Sequence, residues 1–302
     1  MTNRIQYDVI IVGGSYSGLA AGMALGRASR TVLTIDSGRP CNRQTPFSHN
    51  FLTQDGKPPA EIIALARQQL QKYETVAFFQ GFATSGKKTE NGFDIQIGSG
   101  EIFTGKKLVF ATGIKDILPA IEGFSDCWGL SVLHCPYCHG YEVRNAQTGI
   151  FGHGDTGFEL AKLISHWAPD LTLYSNGLSG LTQEQADQLQ SHRISIVEKE
   201  IEKLDQENGQ VKNILFRDGS RVGLTALYVR VPFEQHCRIP ESLGCSFTEA
   251  GYLQTDAFQK TNIPGIFACG DNASPFRTLA NAIAQGTAAG MMLNKEMIFE
   301  SF

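Results

Sequence analysis

The chain has 302 residues, 42% of them apolar, and a formal net charge of −4 with both signs scattered along it. That length exceeds what one hydrophobic core needs and suits two; the composition excludes bulk disorder and a basic surface for nucleic acid or an anionic membrane. No stretch is long and apolar enough to span a membrane or form a leader core, which predicts a cytosolic protein whose seven cysteines are mostly thiols. Their odd number leaves at least one outside any intramolecular pair, and any disulfide is expected to be catalytic rather than structural.

Asp8–Val12 has the pattern of a buried strand, Gly13–Gly18 of a glycine-rich turn, Leu19–Arg27 of a small-residue helix and Thr31–Ile35 of a second strand, together a βαβ unit. Glu61–Tyr73 predicts a second helix, and Phe93–Ile97 and Lys107–Phe110 predict strands, the first in a turn-rich β region. A second βαβ unit follows: strand Gly149–Phe151, turn Gly152–Gly157, helix Phe158–Trp167, strand Leu171–Tyr174. Val211–Phe216 and Leu227–Val231 predict later strands. Ile266–Gly270 then leads to a long C-terminal helix from Thr278 to Met292, assigned back to the first domain. The predicted fold class is α/β, with two Rossmann-like dinucleotide-binding domains of three-layer ββα type, the first discontinuous.

The first turn reads Gly13-Gly14-Ser15-Tyr16-Ser17-Gly18, between a strand and a helix, with Asp36 ending the next strand. This is the context a dinucleotide fingerprint requires. Gly13 permits the tight turn, a small residue at 15 lets backbone approach a pyrophosphate, and Gly18 permits close helix–strand packing. The helix N-terminus attracts phosphates, and Asp36 accepts from ribose hydroxyls. A plain Rossmann turn without ligand is the alternative.

Cys135-Pro136-Tyr137-Cys138 lies just before the second βαβ unit. Its spacing lets two sulfurs meet with disulfide geometry, and a helix N-terminus there lowers a thiol pKa. The competing reading, half a zinc site, needs two more ligands; His134 and His139 adjoin the cysteines and are poorly placed to complete a tetrahedron, and no second C-x-x-C exists, so no metal is expected.

Ala111-Thr112-Gly113 and Gly270-Asp271, each after a strand, resemble the flavoprotein disulfide reductase superfamily. The whole order resembles the low-molecular-weight thioredoxin reductase family over nearly the full chain: fingerprint, Ala-Thr-Gly, C-x-x-C, second G-x-G-x-x-G, Cys-Gly-Asp. Within it, His134 to Glu142 (His-Cys-Pro-Tyr-Cys-His-Gly-Tyr-Glu) is most similar to the branch of gliotoxin- and holomycin-type dithiol oxidases. The resemblance implies an FAD-binding domain, 1–115 and 244–302, and an NAD(P)H-type domain, 116–243, carrying the dithiol. It implies FAD contacts at Gly13, Gly14, Ser15, Ser17, Gly18, Asp36, Asn50, Ala111, Thr112, Gly113, Gly270, Asp271 and Ala280. It also implies that Cys138 faces the flavin while Cys135 attacks the substrate, that hinges lie near 114–119 and 242–245, and that the protein is a homodimer. Where the family usually has Asp after the second cysteine, this chain has His139, which titrates near neutrality and is expected to act as acid/base, a structural hydrogen-bonding His being the rival.

Gly152-His153-Gly154-Asp155-Thr156-Gly157 resembles the family's NADPH loop, with Gly152, Gly154, Asp155 and Thr156 as its contacts. The arginines that would bind a 2′-phosphate are replaced by Leu173-Tyr174-Ser175-Asn176-Gly177, and the Ala-x-Gly segment by Arg230-Val231-Pro232-Phe233. A 2′-phosphate loses its charge-assisted bonds there, so NADPH use stays open. The expected function is FAD-dependent thiol–disulfide oxidoreduction on a thioredoxin-like protein or a small molecule. The alternatives are oxygen-linked oxidation of a small dithiol and a ferredoxin- or flavin-linked enzyme.

Overall fold

The computed structural model describes residues 6–302; residues 1–5, part of the N-terminal stretch read above as too short for a leader, lie outside the described residues. By contacts the chain divides into two compact units, one of Met1–Arg43, Ala60–Lys115 and Phe233–Phe302, the other of Gln44–Pro59 and Asp116–Pro232. The return to the first unit falls upstream of the expected 243/244 boundary, because Cys237, Ile239 and Cys245 are buried in that unit's core.

The first unit contains β1 (Gln6–Val12), α1 (Tyr16–Arg27), β2 (Val32–Asp36), α2 (Pro59–Leu70), β3 (Val76–Gln80), β4 (Ala83–Thr89), β5 (Gly92–Ile97) and β6 (Ile102–Phe110). Among the described residues these strands and Ile266–Ala268 form a seven-stranded sheet, ordered β3-β2-β1-β6-β5-β4. β6 pairs with β1 along one edge and is long enough to serve two further partners along the other. Its first half pairs antiparallel with β5, Phe93 opposite Gly105, and its second half pairs parallel with Ile266–Ala268, Ile266 opposite Leu108. Both faces are covered: Ile10, Val12, Leu108 and Phe110 pack with Phe93, Ile95 and Ile97, whereas Val9, Ile11 and Val109 pack with Leu19, Leu25 and Leu293 of the helices. Burial on both faces is why these strands read as unbroken apolar runs.

The second unit repeats this plan. A parallel five-stranded sheet runs in the order 195–197, 171–174, 148–151, 226–229, 132–133. An antiparallel meander of Ile201–Glu207, Gln210–Phe216 and Arg221–Gly223 forms a separate sheet. Along Ala226–Val229, Leu227 and Val229 pack with the meander residues Leu204, Ile214 and Phe216. Ala226 and Tyr228 pack with Leu160, Ala161 and Ile164 of the helix Gly154–Ile164.

Four helices depart from the sequence expectation in their bounds, among them α2, which spans Pro59–Leu70 rather than Glu61–Tyr73. α1 begins at Tyr16 rather than Leu19, and the second fingerprint helix begins at Gly154 rather than Phe158. The C-terminal helix, Leu279–Ser301, runs past Met292. Its Gly286 and Gly290 lie against the α1 backbone, where a Cβ would stand 2.0 Å from Ser17 O and 2.6 Å from Ala21 O respectively.

Candidate redox and nucleotide sites

In the first unit, Gly13 holds φ +105°, and a Cβ there would stand 2.2 Å from Ala111 O. A Cβ on Gly14 would meet Asp36 Cβ at 2.7 Å, and one on Gly18 would meet Gly13 O at 1.9 Å. The glycines thus allow the turn to close against the β6 end and α1 to cross it. Gly14 N–H donates to Asp36 Oδ1 at 3.2 Å, and the other Asp36 oxygen pairs with Arg67. Ser15 is the N-cap of α1 but makes no side-chain cap bond, and the first turn carries no acid. Ala111, Thr112, Gly113, Gly270, Asp271 and Ala280 belong to the same unit as this turn, whereas Asn50 lies in the 44–59 segment of the other. Asn272, next to Asp271, donates to Phe110 O at 2.9 Å while its buried Oδ1 has no hydrogen-bond partner.

In the second unit, Val132–Leu133 pairs with Leu227–Tyr228 at the edge of the parallel sheet and delivers Cys135 as the N-cap of a single helical turn, Pro136–His139. Pro136 suits a first helical position, where no N–H is needed. Cys135 and Cys138 are joined by a disulfide, with Cα atoms 5.4 Å apart, inside the range such a bond requires. Gly140 closes the turn; a Cβ there would stand 2.5 Å from Pro136 O and 2.9 Å from Trp167. Among the described residues no group of three or more His, Cys, Asp or Glu side chains is arranged to hold a metal. Cys127 and Cys269 are fully buried, and burial pushes the Cys269 thiol up to about 12.

His139 is half-buried beside the disulfide. Burial pulls its pKa below the ordinary imidazole value, Glu142 opposes that shift and His49 adds to it. His49 Nε2 lies 3.5 Å from Glu142 Oε1, and its Nδ1 lies 3.7 Å from Asp55 Oδ2. Asp55 is fixed by the Asn50 N–H, which donates to it at 2.7 Å. The sequence reading gave no role to His49. Glu142 stood in the quoted motif, three residues past His139, without a role, and no local signal ties either residue to the other.

The second fingerprint loop differs from the first. His153, the N-cap of the helix Gly154–Ile164, makes no side-chain cap bond. Gly154 N–H, one of the donors an anion would use, donates to Ser179 O at 2.7 Å. Gly180 O lies 3.8 Å from where a Gly154 Cβ would be. Asp155 puts a negative charge in the first turn and accepts from Gln185 Nε2 at 2.8 Å. Glu198, just past the strand Ser195–Val197, accepts from Ser179 N–H at 2.7 Å, and this bond and the Ser179 hydroxyl hold its carboxyl below the ordinary range. Ser179 and Glu198 were not singled out in the sequence.

A family model described as pyridine nucleotide-disulphide oxidoreductase matches residues 7–286. Thioredoxin reductase tcpT of Claviceps purpurea (strain 20.1) is 30% identical over 304 residues, covering 96% of this chain and 94% of its own. The crystal structure of an oxidoreductase from Agrobacterium tumefaciens superposes with a TM-score of 0.92 at 34% identity, covering 98% of this chain and 99% of that one. That of HlmI superposes with a TM-score of 0.93 at 28% identity, covering 99% and 96%.

Proposed function

Because this chain belongs to the pyridine nucleotide-disulphide oxidoreductase family, we propose that it is an FAD-binding thiol–disulfide oxidoreductase working through Cys135 and Cys138. The observation that carries this is the Cys135–Cys138 disulfide on a short turn next to a half-buried histidine. FAD fits the first unit: the α1 N-terminus lacks a side-chain cap and a first-turn acid, so its N–H groups suit a pyrophosphate, and Asp36 ends β2 where a ribose hydroxyl needs an acceptor. Gly13, Gly14, Ser15, Ser17, Gly18 and Asp36 would hold the adenine dinucleotide part. Ala111, Thr112, Gly113, Gly270, Asp271 and Ala280 would line its flavin end. When bound, FAD supplies the two-electron carrier that the dithiol exchanges with.

In the exchange itself, a substrate thiolate attacks Cys135 Sγ, the bond to Cys138 breaks, and a second substrate thiolate releases Cys135. The substrate becomes a disulfide and the enzyme a dithiol, with two electrons and two protons transferred. His139 takes the proton from the incoming thiol and returns it to the leaving Cys138 sulfur. Reversal reduces an outside disulfide.

The second unit does not fit NADPH as the first fits FAD. The Gly154 N–H is already used by the Ser179 carbonyl, Glu198 accepts from the Ser179 N–H, and no arginine directly follows the strand ending at Tyr174. These features favour dithiol oxidation, in which the electron pair leaves to oxygen as hydrogen peroxide, over NADPH-driven reduction. No helix among the described residues is long and apolar enough to cross a membrane. A homodimer is supported by exposed Met291, Ile298 and Phe299 on the C-terminal helix.

The test is an anaerobic titration of the purified protein followed by visible absorbance. A yellow protein that bleaches with a dithiol but not with NADPH is expected, and Cys138→Ser should remove the bleaching. A colourless protein that FAD does not reconstitute, or a fully active Cys138→Ser, would falsify the proposal; bleaching by NADPH within seconds would refute the oxidase direction alone.

A further inference from the structure

We propose that Asn272 is a positioning residue for FAD: its side-chain amide braces the Ala111-Thr112-Gly113 segment against the Gly270-Asp271 segment and holds the two at the spacing the flavin end needs. This rests on the FAD reading above. Asn272 is fully buried. Its Nδ2 donates to Phe110 O at 2.9 Å and to Thr112 Oγ1 at 3.2 Å. Phe110 O can only accept, so it fixes the amide with its NH2 group toward the end of β6. The same carbonyl accepts from the Cys269 N–H at 3.0 Å. Gly270-Asp271 is thus pinned to β6 from both of its flanks, by backbone at Cys269 and by side chain at Asn272. The fingerprint turn meets the same two segments: a Cβ on Gly13 would stand 2.2 Å from Ala111 O, and one on Gly270 would stand 2.5 Å from Ser17 Oγ. Gly113, by contrast, holds φ +63° with nothing within 4 Å of an ideal Cβ, so the chain turns into open space just past the brace.

The side chain is not needed to hold its own backbone. The Asn272 carbonyl accepts from the Leu253 N–H at 2.8 Å and from Gln235 Nε2 at 2.9 Å, which anchors the residue from two other segments. Gln235 Nε2 also donates to Gly251 O at 2.9 Å, so that anchor is itself tied down. The Asn272 Oδ1 atom is buried without a hydrogen-bond partner, and it carries a desolvation cost that a leucine of similar volume would not. An amide kept at that cost is explained by its two donations rather than by packing. Those donations act on the segments that must meet a flavin together. Without them Thr112 and Asp271 can shift apart, and a ligand that needs both at once finds its site less well organised.

The test titrates FAD into the full-length protein freed of flavin, followed by flavin fluorescence, and scans thermal unfolding of the same flavin-free samples. Asn272→Leu should weaken FAD binding about tenfold, the loss expected from one or two hydrogen bonds. Its flavin-free melting temperature should stay level or rise, because the unpartnered Oδ1 is gone. Thr112→Val should weaken FAD binding and Thr112→Ser should not. Thr112→Val added to Asn272→Leu should cost little more, since both remove the same bond. Unchanged FAD affinity in Asn272→Leu, or losses that multiply in the double variant, overturn the proposal and leave FAD binding by the first unit intact. Weaker binding together with a lowered flavin-free melting temperature marks a purely structural role and overturns it as well. A wild-type protein that binds no FAD overturns both this proposal and the function it rests on. Should Asn272→Leu fail to fold, Thr112→Val decides: about tenfold weaker binding than Thr112→Ser supports the brace, and equal binding overturns it.

Discussion

His139, proposed above as the proton carrier, should also make stability depend on pH. Its pKa in the folded protein lies below the ordinary 6.5, with burial the largest cause. In the unfolded chain it returns to the ordinary value, so between the two values the unfolded state binds more protons. The associated stability is therefore fully present above about pH 6.5 and is lost as pH falls through the folded value. His139→Gln should flatten part of the decline in melting temperature between about pH 7 and about pH 5, measured by thermal scans in matched buffers; an unchanged slope would show that the imidazole is not held neutral by burial. The other cysteines bear on the same residue scale. Cys237 is pushed up to about 11 and Cys269 to about 12 by burial, so neither supplies a thiolate near neutrality. The Cys135–Cys138 pair, by contrast, is already joined as a disulfide.

At the scale of elements, α1 and the C-terminal helix are held together by absent side chains. Gly286→Ala places a methyl where Ser17 O lies 2.0 Å from the ideal Cβ position. Alanine adds about 1 kcal/mol of helix propensity over glycine, but overpacking against a backbone that must shift costs about 1–3 kcal/mol or more. The clash is with main chain rather than a flexible side-chain tip, so the cost should win. Urea unfolding should show a lower midpoint for Gly286→Ala at unchanged slope, and a midpoint at or above wild type would mean that α1 and this helix can separate freely. The fingerprint turns were legible because glycine positions are dictated by backbone contact, as at Gly13 and Gly18. The buried strands were legible because two-sided burial leaves apolar runs, as at Val9–Val12. The helix Gln183–Ser191 was missed because it is largely polar, although Thr182 and Gln185 form a capping box whose spacing is readable. The Glu142–His49 pair was not legible at all, since nothing local in either segment records a contact made across the chain.

At the scale of the whole molecule, duplication was visible as two strand–turn–helix–strand units, but the divergence of the two turns lies in contacts that are not local. Ser179 and Glu198 reach the second turn from later segments, and only the missing arginines hinted at a change there. Likewise the chain's return to the first unit at Phe233 is set by Ile239 and Cys245 entering its core, a packing fact without a composition signal. Each unit has apolar clusters of its own, and units with separate cores tend to unfold separately. Leu227 is fully buried between the second unit's parallel sheet and its meander, so Leu227→Ala should cost about 2–5 kcal/mol. For a unit of this size that lowers a melting temperature by roughly 10 °C. Calorimetry should therefore resolve two transitions in the wild type, with Leu227→Ala moving one and leaving the other in place. Were both to move together, the two cores would form a single cooperative system, and binding at the first unit would stabilise the dithiol unit as well.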